Sequence, residues 1–217
     1  MDHEALGCPL LTDPALEQYL NDVTWYFLPI ANPDGFITTW NGSRLWRKTR
    51  SGKCSCCNNC CGADANRNWD IYWNESGSRM FRCSNEYPGY RPFSEPSTAN
   101  LAKFIIDNKH RIQGYMNLHS FGQYIFYPFG YRKNVYADNH QDLVRIAFAM
   151  KQAIFSQHGA KYTVGSPADV MFFPTNLFYW VIQKRFNLTS ERVEAPETMI
   201  GLNRDSDTGS SSLVLDE

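Results

Sequence analysis

The densest reactive chemistry in the chain is a set of seven cysteines, at positions 8, 54, 56, 57, 60, 61 and 83. Five of them fall in Cys54-Ser-Cys-Cys-Asn-Asn-Cys-Cys61. Cysteines at such spacing have two chemical uses: thiolates can hold a metal ion tetrahedrally, and thiols in an oxidising compartment close into disulfides. No second Cys/His pair at a matching distance follows the cluster, which leaves the disulfide reading in front. Three Asn-x-Ser/Thr sequons, at Asn41, Asn74 and Asn187, fit the same oxidised, secreted setting. The first residues, Met1-Asp-His-Glu, are acidic and no basic stretch or long apolar core follows them. They do not read as a signal peptide, so the expectation is a chain that begins inside a longer protein. Single arginines default to solvated ion pairs. Single histidines default to satisfied core or surface positions, so both acquire meaning only inside longer motifs.

The elements that must position any such site are those of a globular domain. The 217 residues carry 21 Lys+Arg against 22 Asp+Glu, a net charge of -1. This balance argues against a surface built for nucleic acid or anionic membrane. With 43% hydrophobic and 20% charged residues, the chain can bury a sizeable core. No apolar run reaches the roughly 18 to 20 residues of a spanning helix; Val23 to Ile30 and Phe172 to Ile182 are both shorter.

Pro14 to Leu20 reads as a short helix tail and Val23 to Ile30 as a buried strand, closed by turn chemistry in Asn32-Pro-Asp-Gly35. From Phe36 to Pro96, Gly, Ser, Asn, Cys and Trp recur without periodicity. That pattern predicts long ordered loops of the kind that carry function. Ser97 to Lys109 predicts an amphipathic helix with Leu101, Phe104 and Ile105 inward. Gln113 to His119 and Gln123 to Tyr127 read as a strand pair. Asp138 to His158 reads as a second helix with Leu143, Ile146, Ala147, Met150 and Ile154 inward. Alternating strands and helices predict an α/β domain with a mixed, largely parallel central sheet flanked by helices.

Four ordered segments, Asn32-Pro-Asp-Gly-Phe36, Arg44-Leu-Trp-Arg-Lys-Thr-Arg-Ser51, Gly62-Ala-Asp-Ala-Asn-Arg-Asn-Trp-Asp70 and Asn117-Leu-His-Ser-Phe-Gly-Gln123, resemble the zinc metallocarboxypeptidases of the carboxypeptidase A/B type. The resemblance runs from about Thr12 to about Val170 and implies an exopeptidase that recognises a free C-terminal carboxylate. Arg67, beside Asn66, matches the carboxylate clamp, where a guanidinium offers two parallel donors and an amide adds a directed one. Arg47 matches the arginine that stabilises the developing oxyanion, an effect of roughly 3 to 4 kcal/mol where one such donor is removed. His119 matches a zinc ligand at the end of a strand, where sites in open α/β sheets gather. Phe121 belongs to the substrate-binding stretch of the same motif. The resemblance also implies a disulfide between Cys60 and Cys83, with Cys61 as a possible substitute for Cys60. The bridge would clamp the loop of Asn66 and Arg67 with about 3 kcal/mol.

Two parts of the family pattern are missing. The family supplies two more zinc ligands from a His-x-x-Glu motif, and none of the five histidines here is followed by that spacing; by alignment it falls upstream of Met1. The match fades after Val170, where the family continues to a mobile tyrosine and then to a Phe-Glu-Leu-Arg-Asp segment with the catalytic glutamate. Phe172 stands near the tyrosine's place without a hydroxyl. The expectation is therefore a partial peptidase domain over residues 1–171, incomplete at both ends, and a divergent tail over 172–217 of intron or out-of-frame origin.

What the resemblance implies for the whole protein is zinc-dependent hydrolysis of the C-terminal peptide bond of peptides or proteins, one zinc per complete domain, and secretion; it leaves open whether a pro-segment precedes the domain in the full-length protein, as in many relatives. For this chain as written it implies inactivity. The alternative is a non-catalytic carboxylate-binding relative of the same fold, and neither reading has nucleic acid or membrane as a partner.

Overall fold

The structure is a computed structural model that describes residues 13–14, 17–52, 60–74, 80–119 and 122–171, and the backbone of 213–215. The elements in chain order are α1 (Glu17–Asp22), β1 (Phe27–Leu28), α2 (Pro33–Asn41), a 3₁₀ turn (Ala65–Arg67), α3 (Pro96–Asn108), β2 (Asn117–Leu118), β3 (Tyr124–Phe126), α4 (His140–His158), β4 (Thr163–Gly165), α5 (Pro167–Val170) and β5 (Leu213–Leu215).

Every described strand pair is parallel, in two small sheets ordered β1-β5-β2 and β3-β4. β5 lies between β1 and β2, with Phe27 opposite Leu213 and Asn117 opposite Val214. The segments expected to pair with each other, 113–119 and 123–127, do not: β2 joins β5, and β3 joins β4 with Ile125 opposite Val164. Parallel partners are brought together by distant chain, so local alternation gives the strand without its neighbour. The strands are also shorter than the apolar runs that announced them. Of Val23 to Ile30, only Phe27–Leu28 forms β1.

Asn32-Pro-Asp-Gly35 opens a helix rather than closing a turn. Pro33 takes the first helical position, where its missing N–H is harmless, and Asn32 Oδ1 accepts from Gly35 N at 3.1 Å as the cap. The expected loop after Phe36 therefore begins only past Asn41. α3 likewise begins at a proline, Pro96, and presents Ala102 and Ile105 to a core with Trp69, Ile112 and Tyr115; Leu28, Leu101 and Met116 pack against its edge. Phe104, expected inward, is 37% exposed. A second core joins Leu143 and Ala147 of α4 to Ile125 and Tyr127, and α4 ends at Gly159 in the left-handed region, as helix ends favour. The tail expected to diverge lies outside the described residues apart from 213–215.

Candidate functional site

The site is built by two antiparallel runs of loop backbone, 47–51 and 61–64, tied rung by rung. Thr49 N donates to Ala63 O and Gly62 N to Ser51 O, each at 2.9 Å, while Thr49 Oγ1 accepts from Ala63 N at 2.9 Å. Gly62 sits at φ +64, and a Cβ there would stand 1.9 Å from Thr49 O. Only glycine allows the runs to close this far.

Asp64 then does two jobs. Its Oδ1 accepts from Asn66 N at 3.0 Å, capping the 3₁₀ turn that presents Asn66 and Arg67. Its Oδ2 accepts from Arg47 Nε at 2.8 Å. The carboxylate is 2% exposed against 36% for Arg47, so one buried acid orients both the arginine of the first run and the turn of the second. Asn68, fully buried, locks the turn from behind. Its Nδ2 lies 2.7 Å from Pro88 O and 2.8 Å from Ser94 Oγ, and its Oδ1 accepts from Glu95 N at 2.9 Å and Thr98 Oγ1 at 2.8 Å. Glu95 in turn accepts from Thr49 Oγ1, which closes the loop of contacts onto the first run. A disulfide joins Cys60 to Cys83 across 23 residues, and Cys61 is disulfide-bonded as well. Buried Lys48 donates from Nζ to Arg82 O at 2.7 Å; burial above all, then the Arg82 charge, lowers its pKa.

His119 follows β2 directly, and its Nε2 is buried. Its pKa falls to about 4, through burial first and then through the positive charges of Arg47 and Arg67. Residues from three separate segments, 47, 67 and 119, thus lie within electrostatic reach of one another. At neutral pH the imidazole is uncharged and the two guanidiniums are not. Beside them a crevice of about 20 Å³, room for one water, is lined by Asn66, Trp69, Ser97, Tyr115 and Asn117. Asn117 Oδ1 and Ser97 Oγ are buried there with no hydrogen-bond partner among the described residues, the kind of polar pair an ordered water satisfies.

A neutral imidazole is the form that binds a metal. A catalytic zinc, however, takes three protein ligands and a water, and no group of three His, Cys, Asp or Glu side chains with that potential occurs among the described residues. The described residues thus do not fit a complete catalytic zinc site. Phe121, Cys8, Cys54, Cys56 and Cys57 lie outside the described residues.

Sequence reasoning missed Asp64, Asn68 and Glu95. The signal was present: Asp64 stands two residues before Asn66, the spacing of a side-chain cap, and Glu95 immediately precedes the proline that starts α3.

The profile of the family described as zinc carboxypeptidase, peptidase family M14, matches residues 9–184. The chain belongs to the zinc carboxypeptidase family. Among curated relatives, it is 40% identical to zinc carboxypeptidase A 1 of Drosophila melanogaster over 157 residues, 72% of this chain and 35% of that one. It is 37% identical to carboxypeptidase B of Astacus astacus over 156 residues, 72% of this chain and 51% of that one. Among solved structures, carboxypeptidase A from Helicoverpa armigera superposes with a TM-score of 0.63 at 34% identity, over 70% of this chain and 37% of that one. The chain spans between about a third and a half of the length of these family members. The small parallel sheets and flanking helices are an incomplete version of the family's α/β fold.

Proposed function

We propose that this chain carries the substrate-holding side of a zinc carboxypeptidase site. In the whole protein, that site removes one residue from the C-termini of peptides or proteins. The observation behind this reading is the convergence of Arg47, Arg67 and His119, held by the Asp64 cap. Arg67, with Asn66, receives the terminal carboxylate; a guanidinium meets it with two parallel donors. Arg47, oriented by its Nε bond to Asp64, faces the oxygen on which negative charge develops during attack on the scissile carbonyl. His119, uncharged at neutral pH, is the one zinc ligand of this set, and Phe121 contacts substrate. Zinc is the cofactor of the whole protein. Disulfides at Cys60–Cys83 and Cys61 favour an oxidising compartment, hence secretion. No helix among the described residues is long and apolar enough to cross a membrane.

A second reading, a carboxylate-binding module without hydrolysis, is favoured by one observation: the lack of a three-ligand group among the described residues. Both readings require the clamp. The test is binding of an N-acetylated peptide as its free acid and as its C-terminal amide. The acid binds at least about tenfold more tightly, whereas equal affinity overturns both readings. Release of the terminal amino acid by the whole protein with zinc then separates them: the first reading requires it and the second requires none.

A further inference from the structure

The last turn of α2 carries apolar side chains outward. Ile37, Trp40 and Asn41 stand at i, i+3 and i+4 along it, so they are neighbours on one side of the helix. Ile37 is 55% exposed and Trp40 77%, and Asn41, Gly42 and Ser43 are exposed beside them. The helix stops at this point. Gly42 N donates to Thr38 O at 3.0 Å, and the chain then turns through Ser43, whose backbone oxygen accepts from Trp46 N at 2.9 Å. Asn41-Gly42-Ser43 is therefore a glycosylation sequon carried whole on an exposed helix end, with a residue other than proline between the amide and the hydroxyl, as acceptors require. Asn74 is exposed too, but the rest of its sequon and all of the one at Asn187 lie outside the described residues.

We propose that Asn41 is the acceptor of an N-linked glycan when the chain enters the secretory lumen. The step is a glycosyl transfer from an oligosaccharide carried on a polyisoprenyl diphosphate. Asn41 Nδ2 bonds to the anomeric carbon, the bond from that carbon to the diphosphate oxygen breaks, and the lipid diphosphate leaves with the electron pair. Nδ2 gives up one of its two protons, and no oxidant or reductant is consumed. The Ser43 hydroxyl is the group by which the transferase recognises the acceptor. A sequon by itself is a short pattern; two structural observations carry this one further. All three of its residues are exposed, so the folded chain keeps a bulky, hydrated glycan at the surface without displacing a packed side chain. Ile37 and Trp40 on the same side of the helix form an apolar surface of the kind that otherwise draws other chains, and a glycan tethered next to Trp40 screens it. For the native protein the inference rests on the secretory reading given above, and it goes beyond the carboxylate clamp.

The test expresses the full 217-residue chain behind a cleavable secretory leader in mammalian cells. Glycans are removed by peptide-N-glycosidase in heavy-oxygen water, which converts each glycosylated asparagine to an isotope-labelled aspartate that mass spectrometry locates. Only protein whose leader has been removed is scored, so entry into the lumen is established for every sample. The expected result is the label at position 41. Asn41→Gln and Ser43→Ala each abolish it, Ser43→Thr keeps it, and Asn74→Gln, outside this sequon, leaves it in place. An unlabelled Asn41 in the leader-processed wild-type chain, or a label at Asn41 that survives Ser43→Ala, overturns the proposal. Hydroxyl-radical oxidation of Trp40, read by the same mass spectrometry, rises when the glycan is removed from the folded protein; unchanged oxidation overturns the screening role. Neither zinc nor peptide is used and the leader supplies the compartment, so failure of the carboxylate reading leaves this result unaffected.

Discussion

His119 carries the clearest physical signature of the site, because a pKa near 4 records both its burial and the two guanidiniums beside it. In metal-free protein its ring-proton resonances should titrate with a midpoint near 4 instead of 6.5, as followed by NMR. Arg47→Gln or Arg67→Gln removes a repelling charge and should raise the midpoint; an unchanged value in both variants contradicts the arrangement. The folded state binds the His119 proton only below about pH 4, while the unfolded chain binds it below about 6.5. The unfolded state therefore takes up a proton as pH falls through that window. The contribution of His119 to stability decreases with it, by roughly 3 kcal/mol in all, and changes no further below pH 4. Urea midpoints measured between pH 4 and 7 check the direction.

At the scale of elements, the site depends on how closely the runs 47–51 and 61–64 approach. Gly62→Ala forces a Cβ against Thr49 O in a left-handed backbone and should destabilise the protein by more than about 2 kcal/mol. Asn68→Ala leaves Glu95 N without its acceptor inside the core and takes from Thr98 Oγ1 one of its two acceptors, for a loss of at least about 2 kcal/mol. Thermal or urea unfolding reads both; changes below about 0.5 kcal/mol would mean that the runs are not held as described. These positions show what was legible in the sequence. The residue types around Asn66, Arg67 and His119 are contiguous in their motifs, so their chemistry could be read locally. The supports could not, because Asn68 reaches Pro88, Ser94 and Thr98, contacts that exist only once the chain has returned on itself. The same reason hid the strand neighbours: β2 pairs with β5 from nearly a hundred residues away. Asn32-Pro-Asp-Gly35 was misread because proline and asparagine serve equally at a turn and at a helix start. The side chain of Asn32 decides between them by capping α2 and donating to Lys48 O at 3.1 Å.

Over the whole molecule, a net charge of -1 conceals two arginines, Arg47 and Arg67, whose charges both act on His119, with the buried Asp64 carboxylate pairing with Arg47 and capping the turn that carries Arg67. The same molecule leaves part of its core open beside β1 and builds its described strands from only two or three residues each. The chain made alone should therefore bind an apolar-sensitive fluorescent dye. No dye binding by the folded chain would contradict that expectation. The central claim is that Arg67 receives a peptide carboxylate, and calorimetric titration of an N-acetylated peptide free acid into wild-type protein and Arg67→Gln tests it most directly. The predicted result is saturable binding that Arg67→Gln weakens by at least about tenfold; equal affinity in the two proteins would contradict it.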